Sequence, residues 1–219
     1  MNRTIKEIIM WVLISISFLY LYYVWGDLPQ KVATHYNLMG NPNGWTDKNY
    51  MPLLIGGMNL GSYLIMILLP YFDPKKKIEQ MGEKYNSLRI LMSLLMTAIS
   101  IYMLYITITG IVNLRLMIGI IAVFFALMGN YMQTLRPNYF FGIRSPWTLE
   151  NDETWRKTHR FVGRLWMVGG IISLVLSILI TNNNSLLGIL FAIIVTVFVL
   201  LPFIYSYLEF RKIHKTDEN

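Results

Sequence analysis

Residues 186–208 read LLGILFAIIVTVFVLLPFIYSYL, an apolar run without one charged residue. About 20 such residues in a helix cross the hydrocarbon core of a bilayer. A run of this length reads as a membrane span rather than as a buried core helix. Working back along the chain, the same pattern recurs at about 161–180, 116–132, 88–108, 52–70 and 8–25, with a proline bounding the 52–70 run at each end. Composition agrees. Of 219 residues, 55% are hydrophobic and only 14% are charged; soluble domains usually carry roughly 25%. Mean hydropathy is +0.47. These values exclude a soluble enzyme, a disordered tail and a coiled coil, and predict an all-α polytopic membrane protein with six spans. Zero cysteines exclude disulfides, thiolate metal sites and a cysteine nucleophile.

The first run follows Arg3 and Lys6, as a signal peptide would. It is too long for a typical signal core, and no small-x-small cleavage site follows in Val24-Trp25-Gly26-Asp27. It reads as a retained anchor. Orientation follows from the basic residues, because Lys and Arg gather in cytoplasmic segments. Sixteen of the 19 fall in the N-terminal tail, the loops between spans 2 and 3 and between spans 4 and 5, and the C-terminal tail; only Lys31, Lys48 and Arg115 fall on the other side. The expected topology has both termini in the cytoplasm. The net charge of +7 then belongs to loops facing an anionic leaflet, with no direct nucleic-acid partner implied.

Two segments carry chemical information. The outward loop from Gly26 to Met51 contains Thr34-His35-Tyr36-Asn37 and Gly40-Asn41-Pro42-Asn43-Gly44-Trp45. Gly40 and Gly44 are expected to supply positive φ around Pro42, with a short strand over 31–36. His35 is a candidate metal ligand or proton acceptor. No second His, Cys or paired carboxylate lies at ligand spacing, so a structural histidine hydrogen-bonded under Trp45 is the favoured reading. No metal or cofactor is predicted.

The second segment is the basic loop 133–164. Ser145-Pro146-Trp147-Thr148 reads as a helix start with proline in its first turn, and Asn151 or Asp152 as a second cap. From Glu153 one helix is expected to continue into span 5. Arg156, Arg160 and Arg164 recur every four residues and share a face, while Trp155, His159 and Trp166 fall near another. An arginine row at the bilayer surface suits lipid phosphates or a carboxylate partner; positive charge that merely holds the loop inside is the competing account. Arg144 is expected to be half-buried and to anchor the loop on Asn130, on carbonyls of span 4, or on Glu150 and Glu153. The ring of Trp147 is expected at the headgroup level. Within the spans, Asn59 and Ser62 are the polar candidates in span 2, and Asn130 with Gln133 in span 4. Gly57 and Gly61 form a G-x-x-x-G, read as a close helix contact. Hydrolase, metalloprotease and nucleotide-binding motifs are missing, so no enzyme is predicted.

Gly129-Asn130-Tyr131-Met132-Gln133, then Gly142-Ile143-Arg144-Ser145-Pro146-Trp147-Thr148-Leu149, then Glu153-Thr154-Trp155-Arg156 together resemble the signature of the SdpI family of bacterial integral membrane proteins. Leu28-Pro29, Thr34-His35-Tyr36-Asn37 and Gly40 resemble the N-terminal domain of unknown function that often precedes that signature. The resemblance implies a multi-pass protein of the bacterial cell membrane, divided as a two-helix unit 1–72 and a four-helix region 73–219. It further implies immunity against a secreted, membrane-active toxin peptide, and a receptor role in which a cytosolic repressor is held at the membrane. On that basis His35, Trp45, Arg156 and Arg160 are the candidates for toxin or partner recognition. Asn130, Gln133, Arg144, Pro146, Trp147, Thr148 and Trp155 are the candidate anchors of the signature. A small-solute transporter or channel and, behind it, a membrane enzyme are the competing functions.

Overall fold

The structure is a computed structural model and describes residues 3–36, 42–74, 76–138 and 140–217. Helix α1 spans Arg3–Tyr23. A short 3-10 turn leads into an antiparallel hairpin, β1 (Lys31–Tyr36) and β2 (Pro42–Asp47). The second span is helix α2 (Met51–Gly56), a π turn over Gly57–Gly61, and α3 (Ser62–Phe72). Helices α4 (Glu83–Thr109) and α5 (Leu114–Met132) follow, then the short α6 (Pro146–Glu150), α7 (Asp152–Leu179) and α8 (Asn184–Asp217). Six of these helical stretches are long and apolar enough to cross a membrane. The chain is a multi-pass membrane protein whose only described strands are the hairpin pair.

Helix ends follow from local chemistry. Gly82, at φ +53, turns the chain into α4, and Gly110, at φ +66, ends it in the left-handed conformation that favours glycine. The Asn113 side chain accepts from the Leu116 amide to start α5, and Asn183 does the same for Leu186 in α8. At 28 residues α7 is about 42 Å long, more than the ~30 Å hydrocarbon core, so its first turns stand clear of the bilayer.

The segments expected to lie together do so. Lys6 in α1 reaches Glu83 at the start of α4, at 2.7 Å. Arg136 after α5 donates to Gln80 before α4. Lys157 in α7 approaches Glu209 in α8. This basic end is opposite the hairpin, where Lys48 lies over the Trp25 ring and Tyr102 donates to the Asn113 carbonyl.

Two expectations fail. Gly44 does not adopt positive φ; it sits in β2 facing His35, whose Cβ would be 3.1 Å from any Cβ placed there. Its role is clearance rather than backbone freedom. Asn37, Gly40 and Asn41 lie outside the described residues. Gly57 and Gly61 do not make a close helix contact either, since a Cβ at either position would meet nothing within 4 Å. They occupy the π turn, which turns Asn59 inward. Close packing occurs instead between α5 and α7. A Cβ at Gly129 would stand 2.5 Å from the Met167 nitrogen, and one at Gly170 would stand 2.6 Å from the Ala126 nitrogen.

Candidate functional site

The loop from α5 to α7 forms a cap at the basic end. Asn138 is 2% exposed. Its Oδ1 accepts from the amides of Phe140 and Phe141, at 2.8 and 2.7 Å, while its Nδ2 donates to the Arg136 carbonyl. An Asn side chain that mimics backbone in this way fixes a turn without regular structure. Gly142 follows at φ +101, and a Cβ there would run into the His159 ring. Glycine is thus required twice over, for conformation and for space.

His159 is the link between loop and helix. It is 1% exposed and stacks on Trp155, with ring centroids 4.0 Å apart. The Ile143 amide donates to its Nε2 at 3.0 Å, which leaves Nε2 unprotonated. The proton therefore sits on Nδ1, which lies 2.8 Å from the Trp155 carbonyl and donates to it. Trp155 in turn donates from Nε1 to the Leu135 carbonyl at 2.9 Å. Two aromatic rings on α7 so satisfy backbone groups on both sides of the loop, as buried backbone groups require.

The start of α6 is a reciprocal capping box. The Thr148 amide donates to Ser145 Oγ, and the Ser145 amide donates to Thr148 Oγ1. Thr148 Oγ1 also donates to the Ile143 carbonyl, and Ser145 Oγ donates to Ser206 Oγ in α8 at 3.0 Å. Pro146 occupies the first turn as expected. Trp147 packs its ring 5.1 Å from that of Tyr207. Asn151 caps α7, accepting from the Thr154 amide at 2.8 Å. Glu153 pairs with Lys157 at 3.0 Å, and Lys157 also approaches Glu209.

Against this rigid cap, Arg156, Arg160 and Arg164 are all exposed. They project from a different face of α7 from the one that buries Trp155 and His159.

Several site residues are not where their sequence context placed them. Arg144 is exposed rather than half-buried. Asn138, His159, Ser145 and Thr148 satisfy the loop backbone without charge, which avoids desolvating a guanidinium. Asn130 is exposed on α5, and Gln133 is exposed with its side chain lying over Gly163. His35 is exposed and does not lie under Trp45, which is itself 57% exposed and pairs with Ala33 across the hairpin. His35 Nδ1 lies 2.8 Å from the carbonyl of its own neighbour Thr34. The hairpin pair and the arginine row are at opposite ends of the molecule and form no single site. Among the described residues, no group of three or more His, Cys, Asp or Glu is placed to hold a metal ion.

Sequence reasoning missed Asn138 and the linking role of His159. It also missed the buried cations Lys6 and Arg89, which counted only as loop charge although each is 5% exposed. The signal for Lys6 and Arg89 was present: Glu7 and Glu83 fall among the helical turns that carry them.

The cap coincides with a known sequence pattern. Residues 134–206 match the SdpI/YfhL protein family. The SdpI/YfhL region thus opens at the loop, runs through α6 and α7, and closes at Ser206, the partner of Ser145. Residues 12–60 match DUF1648, a domain of unknown function, which covers most of α1, the hairpin and the chain as far as Leu60, one residue past Asn59. The chain is 26% identical over 211 residues to the immunity protein SdpI of Bacillus subtilis strain 168, covering 95% of this chain and 98% of that protein. No solved structure matches significantly.

Proposed function

We propose that this chain is a membrane immunity protein that protects its cell against a secreted, membrane-active peptide. The observation that carries this reading is the end-to-end likeness to the Bacillus subtilis immunity protein. It runs through both the hairpin half and the cap half, so the resemblance is to a whole architecture rather than to one motif. The physical division of the molecule fits such a role. A hairpin with exposed His35 and Trp45 offers an amphipathic surface at one end, where a peptide approaching the membrane would meet it. A braced cap at the other end displays Arg156 and Arg160, where an acidic surface of a cytosolic repressor would dock.

The test is to remove the gene, challenge cells with membrane-active peptides and record membrane potential. Protection means that potential survives the challenge in the parent and collapses in the deletion strain. Equal collapse in both strains, across peptides made by related bacteria, overturns the reading. Orientation is tested separately. A cysteine at Asn43 is expected to react with an impermeant maleimide in intact cells and one at Lys76 is not; the reverse pattern inverts the assignment of the two ends.

A further inference from the structure

At the basic end, α1, α3 and α4 enclose a cavity of about 620 Å³, within the range of sites that hold small molecules or lipid headgroups. Its lining carries both signs of charge: Arg3 and Arg89 against Glu7, Glu79 and Glu83. Arg89 is 5% exposed. It grips Glu7 with two guanidinium nitrogens, at 2.6 and 3.2 Å, and lies over the Tyr63 ring. Tyr63 donates to the same carboxylate at 2.8 Å. The Nε–H of Arg89 has no hydrogen-bond partner, a costly state for a buried charged group. Glu83 is engaged by Lys6, which leaves Arg3 and Glu79 as lining charges with no ion pair among the described residues.

Part of the wall is apolar. Met66, Ile67 and Pro70 line one side. At the rim, Tyr71 is 83% exposed and Phe72, next to it in α3, is 68% exposed, at the level where a span meets the headgroup layer and aromatic rings settle. A purely anionic headgroup would meet three carboxylates, and a purely cationic one would meet two guanidinium groups, one of them buried. A headgroup that carries a phosphate and an ammonium answers both. Tyrosine faces add attraction for the ammonium.

We propose that this cavity seats the headgroup of an aminophospholipid, its phosphate toward Arg3 and Arg89 and its ammonium toward Glu79. The acyl chains then leave past Tyr71 along the outside of α3. The site is separate from the arginine row of α7 and does not depend on the immunity reading.

The test uses the full chain, purified in detergent and stripped of lipid, with binding followed by native mass spectrometry. Phosphatidylethanolamine, phosphatidylglycerol and phosphatidylcholine of identical acyl chains are compared with soluble phosphoethanolamine. Phosphatidylethanolamine is expected to bind about tenfold tighter than the other two lipids, and the double change Arg3→Gln with Glu79→Gln is expected to erase that preference. Both residues are exposed, so the unfolding midpoint of the lipid-free variant should match that of the parent. Arg89→Lys keeps a charge for Glu7 but loses the Nε donor, and is expected to weaken phosphatidylethanolamine binding; if it does not fold, the Arg3 and Glu79 pair decides. Equal affinity for phosphatidylglycerol, or undiminished preference in the double variant, overturns the proposal. Binding of soluble phosphoethanolamine without binding of the lipid overturns the assignment to a membrane lipid.

Discussion

Midway along α1, α2–α3 and α4, the helices meet around one amide. Asn59 accepts from Ser17 and Thr97 and donates to Ser100 and to the Ile55 carbonyl, so all four of its hydrogen-bonding positions are used across three spans. The single hydroxyl proton of Thr97 is shared between Asn59 and the Leu13 carbonyl in α1. Between α5 and α7 the contact is of another kind. Gly129, Gly163 and Gly170 bring two backbones so close that a Cβ at any of them would stand within 2.5–2.7 Å of the other helix. Lipid tails are as apolar as leucine, so burying apolar surface gives little net attraction between spans; polar bonds and tight backbone packing are the two remaining means. The first group of helices uses bonds and the second uses shape. Bonds tolerate small shifts of a helix. Shape does not, and the shape-packed helices are the ones that carry the cap, where His159 must stay in register with Ile143 across the loop.

The largest effect is therefore expected from filling the glycine seam. Gly129→Leu or Gly170→Leu sets new atoms against backbone that cannot swing aside, and overpacking of this kind costs about 3 kcal/mol or more. Membrane abundance and resistance to proteolysis should fall sharply. Gly61→Ala is the control: nothing lies within 4 Å of the added Cβ, so its effect should stay within about 0.5 kcal/mol. Similar behaviour of the two sites would remove the distinction between the groups.

Next in size is His159→Phe, which retains the stack on Trp155 but strands the Ile143 amide. A buried donor left without a partner costs about 1–3 kcal/mol. The expected signature is local: faster hydrogen exchange at Ile143 and through Phe140–Ile143, with α1–α4 unchanged. Asn59→Leu should cost about 1–2 kcal/mol in a reversible unfolding measurement in detergent, because hydrogen bonds between membrane spans average only ~0.6 kcal/mol each. A loss as large as that at Gly129 would mean the Asn59 network is the dominant contact in the protein.

These contrasts explain what the sequence disclosed. All six spans were legible, because apolar length is a property of a segment by itself. So were the caps at Ser145 and Asn151, where the acceptor and the amide it satisfies are three residues apart. The glycine seam was not, since Gly129 and Gly163 acquire meaning only when α5 and α7 lie side by side, whereas Gly57-x-x-x-Gly61 looked like a packing motif and served a π turn. Arg144 was misplaced for a related reason. Its neighbours in sequence suggested burial, but the neutral side chains of Asn138 and His159 satisfy the loop amides, and Arg144 stays at the surface. The shared face of Arg156, Arg160 and Arg164 was readable from spacing alone, and the structure leaves that face exposed while burying Trp155 and His159 on another.

The smallest structural effect, and the most informative functional one, is expected from the double change Arg156→Gln with Arg160→Gln. Both side chains are exposed on helical turns that precede the apolar part of α7, so the change in stability should stay within about 0.5 kcal/mol, and abundance should match the parent. If the row only keeps this end of the chain in the cytoplasm, the many remaining basic residues at the same end suffice, and both survival of a toxin challenge and recruitment of a cytosolic partner should be unaffected. If the row is a docking surface, recruitment should fall, and what remains should depend less on salt than in the parent, because the exposed charge pairs that salt screens within about 8–10 Å are gone. Arg156→Lys with Arg160→Lys separates the two accounts further. It keeps every charge and hence the topology, but replaces planar, bidentate donors with point charges. Recruitment lost in the lysine pair as in the glutamine pair identifies a partner that reads arginine geometry; recruitment kept in both leaves the row as a determinant of orientation alone.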